Sequence, residues 1–166
     1  IPLISAKLIK NGKIDFSKNQ CIDTKDYDAW MTRGIPEYGD VIITTEGPLG
    51  EVAQLDNRKV ALSQRIITLR SKIELFGNNY LKYTLQSTYF REQLFSRQTG
   101  STVQGIKSRE LEKISIIIPH ISISEKFEKY SFNIIKKINS FNYQLDILTK
   151  TRDILLPKLM SGEIRV

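Results

Sequence analysis

From Ser124 to about Leu156, apolar residues return at alternating steps of three and four. Phe127, Ile134, Phe141, Leu148 and Leu155 form one set of positions. Ile138, Leu145 and Leu159 form the other, with Ser131 and Arg152 as its polar members. Lys, Glu, Asn and Gln cover much of the remaining surface. A 3.5-residue repeat of this length predicts one long helix carrying a coiled-coil seam. Ser124 is the expected N-cap, Glu125 adds favourable charge to the first turn, and Pro157 followed by Gly162 is the expected end. About 32 residues rising 1.5 Å each give a rod of roughly 48 Å. That outruns the core the preceding residues can build, so the seam calls for a partner helix. The plainer alternative is a stripe packed along its own domain. Two large aromatic seam residues, Phe127 and Phe141, suit a wider or antiparallel pairing.

Ahead of this helix the pattern changes. Leu3 to Ile9 is a short apolar segment, and Asn11-Gly12 marks a hairpin turn. Asp23 to Thr32 predicts a short helix or irregular turn. Val41 to Thr45 is β-branched throughout and predicts a buried strand. Turns at Glu46–Gly50 and Asp56-Asn57 lead into Glu51–Leu55 and Val60–Leu69, so an antiparallel meander is expected. Asn78 to Phe95 has helical spacing, with Leu81, Leu85, Phe90 and Leu94 on one face. Ile114 to Pro119 predicts a last strand. The expected fold is α/β: residues 1–123 form a mostly antiparallel-sheet domain, and residues 124–166 form the long helix and a tail.

The 166 residues include 25 Lys and Arg against 18 Asp and Glu, a net charge of +7. The excess is spread along the chain, with 17 basic and 13 acidic residues up to position 124, and 8 and 5 beyond it. A polyanion, most simply nucleic acid, is a reasonable partner. Cys21 is the single cysteine, which excludes a disulfide framework or a CxxC metal site and fits a reducing cytoplasm. Neither a signal peptide nor a membrane span is expected. The start at Ile1-Pro2, without Met, suggests a processed or truncated piece of a longer chain.

Catalytic chemistry is sparse. His120 is the only histidine, so a histidine-based triad or metal cluster is not expected. Walker and GxGxxG loops are absent, as is the Asn/Asp-Pro-Pro-Tyr motif of amino-methyltransferases. Asp40, Glu46 and Glu51 are the nearest acid/base candidates, but the ordinary reading is favoured: a turn residue for Asp40, and two solvated charges at a hairpin end for Glu46 and Glu51. No catalytic residue and no metal or cofactor site is expected. The suggestive stretch is Gln98 to Lys107, rich in Gly and small hydroxyl residues. Gln104 offers an amide suited to adenine, and Gln98 opens the stretch as a further DNA-contact candidate; Ser101 and Thr102 reach base edges or phosphates; Arg97 and Lys107 flank the loop as phosphate neutralisers. A plain surface loop is the alternative. Lys7, Lys10 and Lys13, with Arg33 and Arg65, are candidates for an adjoining basic face.

The order of short motifs carries a likeness. Gly39-Asp40-Val41-Ile42-Ile43-Thr44 precedes Gly47 to Gly50, then Leu62-Ser63-Gln64-Arg65, then Gly100-Ser101-Thr102-Val103-Gln104-Gly105-Ile106. Leu111 to Pro119 and a helix ending Leu155-Leu156-Pro157-Lys158-Leu159-Met160-Ser161-Gly162-Glu163-Ile164 follow. The chain resembles the specificity subunit of type I restriction–modification systems, as one target recognition domain with its spacer helix.

The resemblance implies a non-catalytic reader of double-stranded DNA. It works beside methyltransferase subunits that supply S-adenosylmethionine and adenine methylation, and indirectly with a restriction subunit that uses ATP and Mg. DNA contacts are expected from Lys7, Lys13, Arg33, Arg65, Arg97, Gln98, Ser101, Thr102, Gln104 and Lys107. The dimer seam is expected from Phe127, Ile134, Ile138, Phe141, Leu145, Leu148 and Leu155, as an antiparallel coiled coil. Family members have two recognition domains and an opening stretch that this chain lacks. A half-subunit or fragment is therefore implied, acting as a homodimer or with a second recognition domain. A coiled-coil adaptor with a protein-binding head is the alternative function.

Overall fold

A computed structural model describes residues 1–71, 76–100 and 102–164. It divides into two compact units, Ile1–Lys129 and Tyr130–Val166. The first unit opens with strand β1 (Pro2–Ile4), a 3-10 turn, and the hairpin β2 (Ile9–Lys10) and β3 (Lys13–Ile14). Strand β4 (Gln20–Cys21) and the short helix α1 (Tyr27–Trp30) follow, then β5 (Val41–Thr45), β6 (Leu49–Gln54), β7 (Ala61–Leu62) and β8 (Ile66–Leu69). Helices α2 (Asn78–Gln86), α3 (Thr88–Ser96) and α4 (Ser108–Leu111) precede the long helix α5 (Ile121–Met160).

Strand β5 is the centre, with sheet order β6-β5-β8. Its alternation explains why every residue is β-branched. Val41 and Ile43 face a core that includes Leu81, Leu85, Phe90 and Leu94. Ile42 faces a second core with Ile4, Ile9, Phe16 and Leu62. A strand covered on both faces has no solvent side and so shows no polar alternation. The expected meander is not formed: β8 pairs antiparallel with β5, as β6 does on its other edge. Residues 60–69 are not one strand. The chain leaves β7, which runs parallel to β1, and turns at Ser63–Arg65 into β8 of the other sheet. The Ser63-Gln64-Arg65 triplet is that crossing.

Three further expectations are corrected. Residues 78–95 make two helices, broken at Ser87, whose side chain accepts from Phe90 N and caps α3. Residues 114–119 form no strand. Their backbone is met by side chains, with Gln93 Nε2 donating to the Ser115 carbonyl at 3.0 Å and the Tyr80 hydroxyl to that of Ile117 at 2.9 Å. The long helix starts at Ile121, ahead of Ser124, and passes through Pro157 to Met160. So near the end, a proline deletes one intrahelical bond at most. The last turn is closed by Ser161 N–H to the Pro157 carbonyl at 3.0 Å, and Gly162 stops it with φ +72°.

The compact head runs six residues past the boundary expected at 123, because the first turns of α5 are stitched to α2. The Phe127 ring meets Tyr80 and Tyr83 edge-to-face at 5.9 and 6.0 Å. Glu128 Oε1 accepts from Tyr80 N at 2.8 Å, supplying an anion to the N-terminus of α2. Phe127, expected in the seam, thus has its ring engaged within the head. In the second unit, Ile134, Ile138, Phe141, Leu145, Leu148 and Leu155 are exposed along α5.

Candidate nucleic-acid interface

One end of the central sheet gathers most of the candidate residues. Thr99 and Gly105 are closed on each other: Thr99 N donates to the Gly105 carbonyl at 2.8 Å, and Gly105 N returns a bond at 3.0 Å. Gly100 makes the turn possible, with φ +97° and with the Val103 carbonyl oxygen 2.3 Å from where a Cβ would stand. The turn is tied down at its exit. Ile106 is buried, its N–H donates to the Thr45 carbonyl at 2.9 Å, and Gly105 bridges Glu46. Thr102, Val103, Gln104 and Lys107 are exposed. With Gly47, Pro48, Leu49 and Phe95, the first three line an open groove of about 380 Å³. Ser101 lies outside the described residues.

The flanking cations Arg97 and Lys107 share one acidic neighbour, Glu110. The Glu110 carboxyl is held below its usual range first by a hydrogen bond from Lys113, with the Arg97 and Lys107 charges also contributing. Arg97 Nη1 also donates to the Gln93 carbonyl at 3.1 Å. Gln98 differs from Gln104: its Oε1 is buried without a hydrogen-bond partner among the described residues. That oxygen is turned away from solvent, which leaves Gln104 as the exposed amide of the loop.

Arg65 and Arg33 border the same region at the strand crossing. Arg65 Nη2 lies 3.0 Å from Glu46 Oε1. The Arg33 guanidinium donates to the Ser63 and Gln64 carbonyls at 3.1 and 3.2 Å, bracing the turn that carries Arg65. Lys7 stands on the 3-10 turn after β1, whose Ile4 carbonyl accepts from Ser63 N at 2.9 Å. Lys10 and Lys13 belong to the β2–β3 hairpin, where Asn11 N donates to Glu51 Oε2 at 3.0 Å. No described hydrogen bond or ion pair joins Lys7 or Lys13 to the 98–107 loop.

The acid/base candidates are each engaged. Asp40 is buried and held by Arg70, Glu46 faces Arg65, and Glu51 accepts from the hairpin. Sequence reasoning placed Glu46 on a solvated hairpin end and missed its position between Arg65 and the loop. Only the β5 register and the Gly105 bridge bring those parts together. Among the described residues, no group of His, Cys, Asp or Glu could hold a metal ion, and no helix is long and apolar enough to cross a membrane. The candidate surface presents amides, hydroxyls and guanidinium groups on a pinned backbone.

The chain has relatives among known proteins. Residues 1–153 match the family model described as the type I restriction modification DNA specificity domain. Over 88 residues the chain is 36% identical to the type I restriction enzyme MjaIX specificity subunit of Methanocaldococcus jannaschii, a match spanning 53% of this chain and 20% of that one. The HsdS subunit from Thermoanaerobacter tengcongensis superposes with a TM-score of 0.58 at 16% identity, covering 93% of this chain and 40% of its own. The type I S subunit from M. genitalium gives 0.56 at 18% identity, covering 94% and 41%. A chain from a study of complex assembly and conformational transition in the type I R-M system gives 0.57 at 16%, covering 99% and 43%. At such identities the structural likeness is one of fold. The chain spans about two fifths of the length of these solved relatives.

Proposed function

Because the chain belongs to the type I restriction modification DNA specificity domain family, we propose that it reads one part of a split target in double-stranded DNA. The observation that carries this reading is the exposed Gln104 loop, flanked in sequence by Arg97 and Lys107 and pinned to the end of β5 beside the Glu46–Arg65 pair. A bidentate amide suits adenine in the major groove, and Arg97 and Lys107 suit the flanking phosphates. The chain itself performs no chemistry. Partner methyltransferase subunits bring S-adenosylmethionine to a target adenine, and a restriction subunit with ATP and Mg joins through them, in the cytoplasm.

The long helix serves as spacer and dimer seam in this reading. At about 1.5 Å per residue, 40 residues span roughly 60 Å, well beyond the 34–36 Å turn of B-DNA. An antiparallel pair through Ile134, Ile138, Phe141, Leu145, Leu148 and Leu155 would separate two recognition domains along one duplex, whether from a second copy or a different domain. Exposed apolar residues along α5 support such a pairing, because water-facing apolar surface of this extent marks an interaction site. Selection from a randomised duplex pool, with methyltransferase subunits present, is expected to return a split sequence. No enrichment at moderate salt would refute the reading, and binding that survives high salt unchanged would favour a protein adaptor.

A further inference from the structure

Resting on that DNA-reading function, we propose that Glu46 and Arg65 form a specificity-determining pair that reads one C·G base pair in the major groove. The carboxylate accepts from the cytosine N4 amine, and the guanidinium donates to guanine O6 and N7.

The two side chains lie side by side, Glu46 Oε1 and Arg65 Nη2 being 3.0 Å apart, as the two bases of a pair do. Both side chains are partly open to solvent, 38% exposed for Glu46 and 48% for Arg65. An ion pair this exposed contributes little to stability, so the fold has no evident need of it. A surface that only gripped phosphate would also omit a carboxylate beside Arg65, because it weakens the attraction to the backbone. A base-reading surface has a use for it. Cytosine presents only a donor in the major groove, and an acceptor is required to select it.

The backbone beneath both residues is held from several sides. Thr45 N donates to the Arg65 carbonyl at 2.9 Å, so the two turns are joined at the residues that matter. On one flank, Gly105 bridges Glu46; on the other, Arg33 donates to the Ser63 and Gln64 carbonyls. A side chain on such a platform arrives at DNA in a defined orientation. Gly47, next to Glu46, holds a backbone φ of +56° that favours glycine. Arg33 then acts by positioning the turn, and Gln104 across the Gly105 bridge addresses a neighbouring base.

The test repeats the duplex selection, with methyltransferase subunits present, for the parent chain, Glu46→Ala and Arg65→Gln. The parent is expected to enrich a C·G pair at one target position. Each variant should lose discrimination there by on the order of tenfold while preferences elsewhere persist and the melting temperature is unchanged. The pair is refuted if Glu46→Ala keeps every preference, or if it tightens binding equally to all sequences. Should the parent enrich no sequence, the DNA-reading function itself falls and this inference with it.

Discussion

The wholly buried carboxylate of Asp40 receives two near-parallel bonds from Arg70, Nε to Oδ1 at 2.6 Å and Nη2 to Oδ2 at 2.7 Å. Oδ2 also accepts from Glu37 N at 2.8 Å, so one side chain fastens the entry of β5 to the end of β8. The partnership raises the Arg70 guanidinium further above its usual range, first through the Asp40 hydrogen bond. Arg70→Met strands a buried carboxylate and is expected to cost about 2–3 kcal/mol, less than a fully buried pair because the arginine is part-exposed. Urea unfolding measures it. A cost near zero would show that water reaches Asp40 in the native state.

Glu128 caps α2 from the long helix, and Gly77 leaves room for it, since a Cβ there would stand 2.4 Å from the Glu128 carboxyl carbon. Glu128→Ala is expected to lower stability by about 1 kcal/mol or more. Gly77→Ala should displace the same carboxylate and destabilise comparably, and in the double variant the two effects should be less than additive. Thermal melts of the four proteins give the comparison.

Base reading and phosphate neutralisation separate cleanly in binding experiments. Gln104→Ala should relax preference at one position by on the order of tenfold and leave stability alone. Arg97→Ala or Lys107→Ala should weaken binding to all sequences alike and reduce the logarithmic salt slope by about one. Titrations at several salt concentrations distinguish the two behaviours.

Ile138 lies exposed near the middle of α5. If two copies pair there, Ile138→Asp should shift sedimentation from dimer to monomer, because an unpaired carboxylate would be buried at the seam. An unchanged dimer would place the contact elsewhere.

Acid sensitivity follows from Asp15, whose carboxyl is lowered by hydrogen bonds from the Ser17 hydroxyl and backbone N–H. A carboxyl lowered by folding stabilises the fold above its unfolded range and loses that contribution as pH falls through its folded value. Asp15→Ala should therefore cost on the order of 0.5 kcal/mol at neutral pH, given its exposure, and little below the carboxylate range. Urea midpoints across pH 2.5 to 7, an interval of roughly the usual carboxylate range and above, show whether the difference closes.

Local pattern by itself determined the long helix, the Asn11-Gly12 hairpin and the buried β5, because heptads, turn residues and β-branched runs act on neighbouring positions. It also made the 98–107 loop stand out, and the ordered motifs pointed to the family. Tertiary structure decided what depends on distant partners. Val60–Leu69 looked continuous, yet Ile4 and Val41–Thr45 each pair with a different part of it. Ile114–Pro119 looked like a strand, yet the Gln93 and Tyr80 side chains take backbone groups there. Pro157 looked like an end, yet a helix can close one more turn past it. Glu46 acquired a meaning only when β5 brought it between Arg65 and Gly105, since an ion pair across 19 residues leaves no periodic trace.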